Sequence, residues 1–161
     1  MDEKEVKQEE TVETVVEVTK VEETVELPVA KAKVTRHRNL VVCEDDNAIR
    51  TYIRSELSNE FRITEFANGR EGWDYIQQNP DKVDLLITDI MMPEMDGLTL
   101  CDKLKKNYNT NHIPVIMTTA LGTDNDRING LDTGADAYVS KPFNMDVLRS
   151  TANNLLSNRN K

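Results

Sequence analysis

Val83-Asp84-Leu85-Leu86-Ile87-Thr88-Asp89-Ile90-Met91-Met92-Pro93-Glu94-Met95-Asp96-Gly97 is the stretch on which the fold turns. Leu85 to Ile87 is a short apolar run of the kind that forms a strand buried on both faces. A carboxylate, Asp89, follows it. Pro93 and the turn pair Asp96-Gly97 come next, and Leu98, Leu100, Cys101 and Leu104 then open a helical pattern. An acid therefore stands where a buried strand surfaces, which is where ligands collect in open α/β sheets.

The same unit recurs on either side. Leu40 to Cys43 reads as a buried strand ending at Glu44-Asp45-Asp46, and Ile49, Tyr52, Ile53 and Leu57 recur behind it at helical spacing. Phe61 to Phe66 is a second strand, closed by Asn68-Gly69, and a helix with Trp73 and Ile76 runs to Asn79-Pro80. Val115 to Met117 is a fourth strand, after the one that ends at Asp89, and leads into Thr118-Thr119-Ala120. A weak helix is predicted over 125–133, with Gly130 inside it at a cost of about 1 kcal/mol against Ala. Ala137 to Val139 is a fifth strand, followed by Lys141-Pro142-Phe143. Asn144 is placed to cap a last helix with Val147, Leu148, Ala152, Leu155 and Leu156. Strands alternating with helices predict an α/β fold, a doubly wound five-stranded parallel sheet with helices on both faces.

Residues 1–38 differ in composition. Met1 to Glu26 carries ten acids against Lys4, Lys7 and Lys20, and its apolar residues are the starting Met and valines. Leu27 to Arg38 turns basic. Such a stretch buries too little surface to offset its ordering entropy, so 1–38 is expected to be a flexible linker, with 39–161 the folded domain. The formal net charge of −9 argues against direct nucleic-acid binding. No apolar run approaches a membrane span and no signal-peptide pattern opens the chain, so a cytoplasmic protein is the expectation. Cys43 and Cys101 lie within apolar patterns, without metal-site spacing, and read as reduced core residues.

The predicted strand ends make a constellation. Glu44 and Asp45 end the first strand, Asp89 the third, Thr119 the fourth and Lys141 the fifth. If the first and third strands flank the reversal of strand order, three carboxylates meet in one crevice. Their mutual repulsion calls for a cation, and few hard oxygen ligands with room for water and phosphate suit Mg²⁺. A hydroxyl and an ammonium beside them suit a phosphoryl group.

From about Asn39 to Ser157 the chain resembles the receiver domains of two-component response regulators and hybrid sensor histidine kinases. The motifs that carry the likeness are Glu44-Asp45, Asp89-Ile90-Met91-Met92-Pro93 with Asp96-Gly97, Thr119-Ala120, and Tyr138-Val139-Ser140-Lys141-Pro142-Phe143. The resemblance implies a flavodoxin-like sheet of order 2-1-3-4-5. It also implies that Asp89 accepts a phosphoryl group from the phosphohistidine of a histidine kinase or phosphotransfer domain. Asp45 and Asp89 would bind Mg²⁺ with the carbonyl of Met91, and Glu44 through water. Thr119 and Lys141 would hold the phosphoryl oxygens, Tyr138 would be the switch aromatic, and Lys141-Pro142 a cis peptide. The surface around the fifth strand and the helix over 125–133 would change on phosphorylation.

Blander readings attach to the neighbours. Asp46 reads as a helix cap and Asp96 as turn chemistry. Thr118 should point into the sheet. Met91, Met92, Met95, Met117 and Met145 read as packing residues, and His37 and His112 as loop residues without partners. Two other functions use parts of the pattern. A phosphatase of the haloacid dehalogenase type needs a second Asp two residues past the nucleophile, where this chain has Met91. A receiver that no longer takes phosphate would be a plain interaction module, and here all the site residues are present.

Overall fold

The computed structural model describes residues 37–120 and 134–159. The predicted helix over 125–133 and the leading segment to Arg36 lie outside these residues. The five strands are β1 (Arg38–Cys43), β2 (Phe61–Phe66), β3 (Leu85–Asp89), β4 (Val115–Ala120) and β5 (Ala137–Lys141). Among the described residues the helices are α1 (Asn47–Leu57), α2 (Gly69–Gln78), α3 (Gly97–Lys106) and α4 (Met145–Asn158), with a 3₁₀ turn at Pro80–Lys82. The sheet is wholly parallel in the order β2-β1-β3-β4-β5.

Each strand alternates its side chains between two faces, and that builds two cores. Val41, Cys43, Leu86, Val115 and Met117 pack with Ile76 of α2 and with Leu100, Cys101 and Leu104 of α3. Leu40, Val42, Leu85, Ile87, Ile116 and Val139 pack with Ile53 and Leu57 of α1 and with Leu148, Ala152 and Leu156 of α4. Burial of each such Leu or Ile contributes about 1.5–3 kcal/mol, and β3, apolar from Leu85 to Ile87, is buried along its whole length. Leu86→Ala would cost about 2–5 kcal/mol, because a covered strand has little room to collapse.

Caps fix where the helices begin. Asp46 accepts from the N–H groups of Ala48 and Ile49, Asn68 from Glu71, Asp96 from Thr99 and Asn144 from Asp146. Asp46 thus takes the capping role expected of it, and Asp96, read as turn chemistry, is the cap of α3.

Three expectations need correction. β1 begins at Arg38 rather than Leu40, because Arg38 and Asn39 already pair with Phe61 and Arg62, and Asp84 accepts from the Asn39 N–H at 2.8 Å. Met91 does not pack in the core: it is 54 % exposed, because its neighbour Ile90, fully buried, takes the interior place. His37 is not without a partner, since its Nε2 donates to the carbonyl of Asn59 at 3.1 Å. Met95, Met117 and Met145 are buried, and Met92 packs partly against the first core.

Candidate functional site

The chain leaves β1 for β2 on one side and returns through β3 on the other, so a crevice opens between the carboxyl ends of β1 and β3. Glu44 follows β1 directly and Asp89 ends β3. Ligand atoms of Glu44, Asp45 and Asp89 lie within 4.8 Å of one another. Glu44 and Asp89 are buried, Asp45 exposed. The expected convergence of three acids is therefore present.

Lys141, at the end of β5, reaches into this cluster. Its Nζ lies 2.8 Å from Glu44 Oε2 and 3.2 Å from Asp89 Oδ1. Burial pushes the Glu44 and Asp89 carboxyls above their ordinary values, and the Lys141 ammonium offsets only part of that rise. Burial alone would lower Lys141, but its contacts with Glu44 and Asp89 prevail and raise it, so it stays charged. The Lys141–Pro142 peptide is cis.

One hydroxyl residue of β4 falls into register beside an acid. Thr118 pairs with Asp89 across β3 and β4, and its Oγ1 lies 3.4 Å from the Thr88 carbonyl, inside the sheet as expected. Thr119, one step further, is 3 % exposed and pairs with Ser140. Tyr138 on β5 is 42 % exposed. A cavity of about 460 Å³ opens on the α1 side of the cluster, lined by Ile49, Tyr52, Ala120, Lys141, Pro142 and Phe143.

Reading by residue type missed two supports. Arg50 donates to the carbonyl of Glu44 at 2.7 Å and of Asp45 at 3.4 Å, pinning the turn that presents both acids. Its signal in sequence is faint, an Arg four residues past a capping Asp. Gly97, read only as half of a turn pair, is a close approach: a Cβ there would run into the carbonyl oxygen of Asp89.

The donor set, hard carboxylate oxygens beside a fixed ammonium, fits a small divalent cation and an anion held together. The profile of the response regulator receiver domain matches residues 40–153. The chain belongs to this family, whose members are phosphoacceptors in two-component signalling. It is 38 % identical over 120 residues to Histidine kinase P4 of Formosa agariphila, covering 74 % of this chain but 9 % of that protein. Response regulator Rre1 of Synechocystis is 38 % identical over 121 residues, covering 74 % of this chain and 52 % of the relative. Among solved structures, the signal receiver domain of a signal transduction histidine kinase from Syntrophus aciditrophicus superposes with a TM-score of 0.69. That match has 33 % identity and covers 75 % of this chain and 91 % of the other. The chain thus spans a tenth to a half of the curated relatives and nearly all of the receiver structure. Among the described residues no helix is long and apolar enough to cross a membrane.

Proposed function

We propose that Asp89 is the phosphoacceptor of this receiver and that the donor is the phosphohistidine of a histidine kinase or phosphotransfer domain. The observation that supports this most is Lys141, whose ammonium is held between Glu44 and Asp89 at the mouth of the β1–β3 crevice. Mg²⁺ would be held by Asp45, Asp89 and the carbonyl of Met91, with Glu44 acting through water, and when bound it supplies positive charge to the transferring phosphoryl oxygens. A carboxylate oxygen of Asp89 forms the new P–O bond. The P–N bond to the donor imidazole breaks, and its electron pair stays on the imidazole nitrogen. Lys141 exchanges its contact with Asp89 for one with a phosphoryl oxygen, and the Thr119 hydroxyl donates to another. The donor approaches over the apolar cavity lined by Ile49, Tyr52, Pro142 and Phe143.

Phosphatase turnover of the haloacid dehalogenase type has no such support. The position of its general acid is held by Met91, whose thioether has no proton to give. Thr119 and Tyr138 are the proposed switch, acting on the surface of β5. The placement of the domain within a hybrid histidine kinase draws support from the likeness to the Formosa and Syntrophus kinases, and the coding sequence flanking this chain tests it. The test of the main reading is incubation with acetyl phosphate and Mg²⁺. Wild type should gain one hydroxylamine-labile phosphoryl group, and Asp89→Asn, or wild type without Mg²⁺, none.

A further inference from the structure

The loop from Ile90 to Asp96 joins Asp89 to α3, and its backbone is held at its base, within itself by the Met95 N–H on the Pro93 carbonyl at 2.7 Å, and at its far end. The Ile90 N–H donates to the Thr118 carbonyl at 3.3 Å and the Gly97 N–H to the Ile90 carbonyl at 2.8 Å, which close the loop at its base. Its far end is held from outside. The Gly69 N–H, in the first turn of α2, donates to the Met95 carbonyl at 3.1 Å. A Cβ on Gly69 would run into that same carbonyl oxygen, and would stand 3.1 Å from its carbon and 3.2 Å from the Met95 Cβ. Backbone cannot swing aside as a flexible side chain can.

Two features make this contact directional. Asn68 caps α2 by accepting from the Glu71 N–H, so the position of Gly69 is fixed by its own helix. Met95 is buried in the first core, while Glu94 just before it takes a left-handed φ of 67°, so the loop is already bent to bring its carbonyl inward. Only a residue without a side chain lets the corner before α2 and this loop close to hydrogen-bond distance.

We infer that Gly69 is a positioning residue for the site. It holds the loop against the β2–α2 corner and thereby sets the placement of Met91, whose carbonyl is the backbone ligand of the proposed metal site. This rests on the reading of Asp89 as a Mg²⁺-dependent phosphoacceptor. Gly69 touches neither phosphate nor metal and acts through the loop, as groups behind a metal site do.

The experiment compares full-length wild type with Gly69→Ala and Gly72→Ala. Gly72 is the other tight glycine of α2, but its missing Cβ faces Cys43 Sγ in the core and not the loop. Three quantities are read: metal-free melting temperature, Mg²⁺ affinity by calorimetry, and the rate of phosphorylation by acetyl phosphate as a function of Mg²⁺. Gly69→Ala should weaken Mg²⁺ binding about tenfold or more, with the phosphorylation rate restored at saturating Mg²⁺. Gly72→Ala should lower the melting temperature and leave Mg²⁺ affinity within about twofold of wild type. Wild-type Mg²⁺ affinity in Gly69→Ala, or a lost rate that Mg²⁺ does not restore, overturns the inference. If Gly69→Ala does not fold, Met95→Ala decides: it removes the buried anchor of the same loop and should weaken Mg²⁺ binding, and unchanged affinity overturns the proposal. A wild type that binds no Mg²⁺ and takes no phosphate overturns the underlying reading, and the inference with it.

Discussion

Lys141 Nζ lies 3.2 Å from Asp89 Oδ1 although their strands, β5 and β3, are not neighbours in the sheet. The lysine reaches across the end of β4 to meet the acid. Such a pair adds little to stability, because both groups lose water to form it. Its worth lies in placing a cation where new negative charge can be received, beside an acid that burial holds above its ordinary pKa.

That burial sets a sign. The folded pKa values of Glu44 and Asp89 are raised, chiefly by desolvation, so the fold binds their protons more tightly than the unfolded chain does. Their favourable contribution is complete below the ordinary carboxylate range and is lost as pH rises through the raised folded values. At neutral pH, without metal, the charged Asp89 is a burden. Asp89→Asn should raise the metal-free melting temperature at pH 7 by a few degrees, and the gain should shrink as pH falls into the carboxylate range. Mg²⁺ should stabilise wild type and not the variant. A thermal melt series over pH tests this, and a variant less stable than wild type at pH 7 would contradict it.

Thr119 is the proposed link from site to surface. A hydrogen bond from its hydroxyl to a charged phosphoryl oxygen is worth about 1.5–3 kcal/mol, enough to shift the end of β4. Thr119→Ala should still take phosphate on Asp89. It should lose most of the change in amide exchange that phosphorylation brings to β5 around Tyr138. Equal exchange changes in wild type and variant would remove Thr119 from the route.

The lifetime of the acyl phosphate depends on a water placed behind the phosphorus. Met91, two residues past Asp89 and 54 % exposed, stands at the loop beside it and offers no strong hydrogen-bonding group. Leu121, two past Thr119, is equally apolar and lies outside the described residues. Slow self-dephosphorylation follows. Met91→Asn with Leu121→Glu should shorten the lifetime severalfold, measured by loss of label after donor removal, and an unchanged decay would show that water placement is not limiting.

Cys43 and Cys101 are both buried, and burial raises their thiols to about 12 and about 11. Thiolate is the reactive form, so neither should be alkylated by iodoacetamide at about pH 8 in the native protein, while both react in denaturant. Rapid native labelling of Cys43 would contradict the packing of α2 on β1.

The sheet was legible because its signals are local. Apolar runs such as Leu85 to Ile87 and caps such as Asp46 and Asn144 declare strands and helix starts by residue type alone. The site acids were legible for a related reason: Glu44 and Asp89 interrupt buried runs, where a charge has no structural use. Lys141 was legible as the end of a predicted strand and as part of a family motif, but its contacts were not, since no spacing relates it to acids on β3 and β1, two and three places away in the sheet. Arg50 and the Gly69–Met95 contact were not legible. Both act on backbone carbonyls, and a carbonyl carries no trace in the sequence of the residue that binds it. The exposure of Met91 escaped for the converse reason, because a methionine after a buried strand looks like core until Ile90 is seen to fill the place.

The central claim is that Asp89 receives the phosphoryl group. It is tested most directly by phosphorylating the full chain with acetyl phosphate and Mg²⁺, trapping the acyl phosphate by borohydride reduction, and sequencing the peptides by mass spectrometry. Reduction converts a phosphorylated aspartate to homoserine. The account predicts homoserine at position 89 alone, with Asp45 and Asp46 intact. Homoserine at either of those positions with Asp89 unmodified, or phosphate found on His37 or His112, would contradict it.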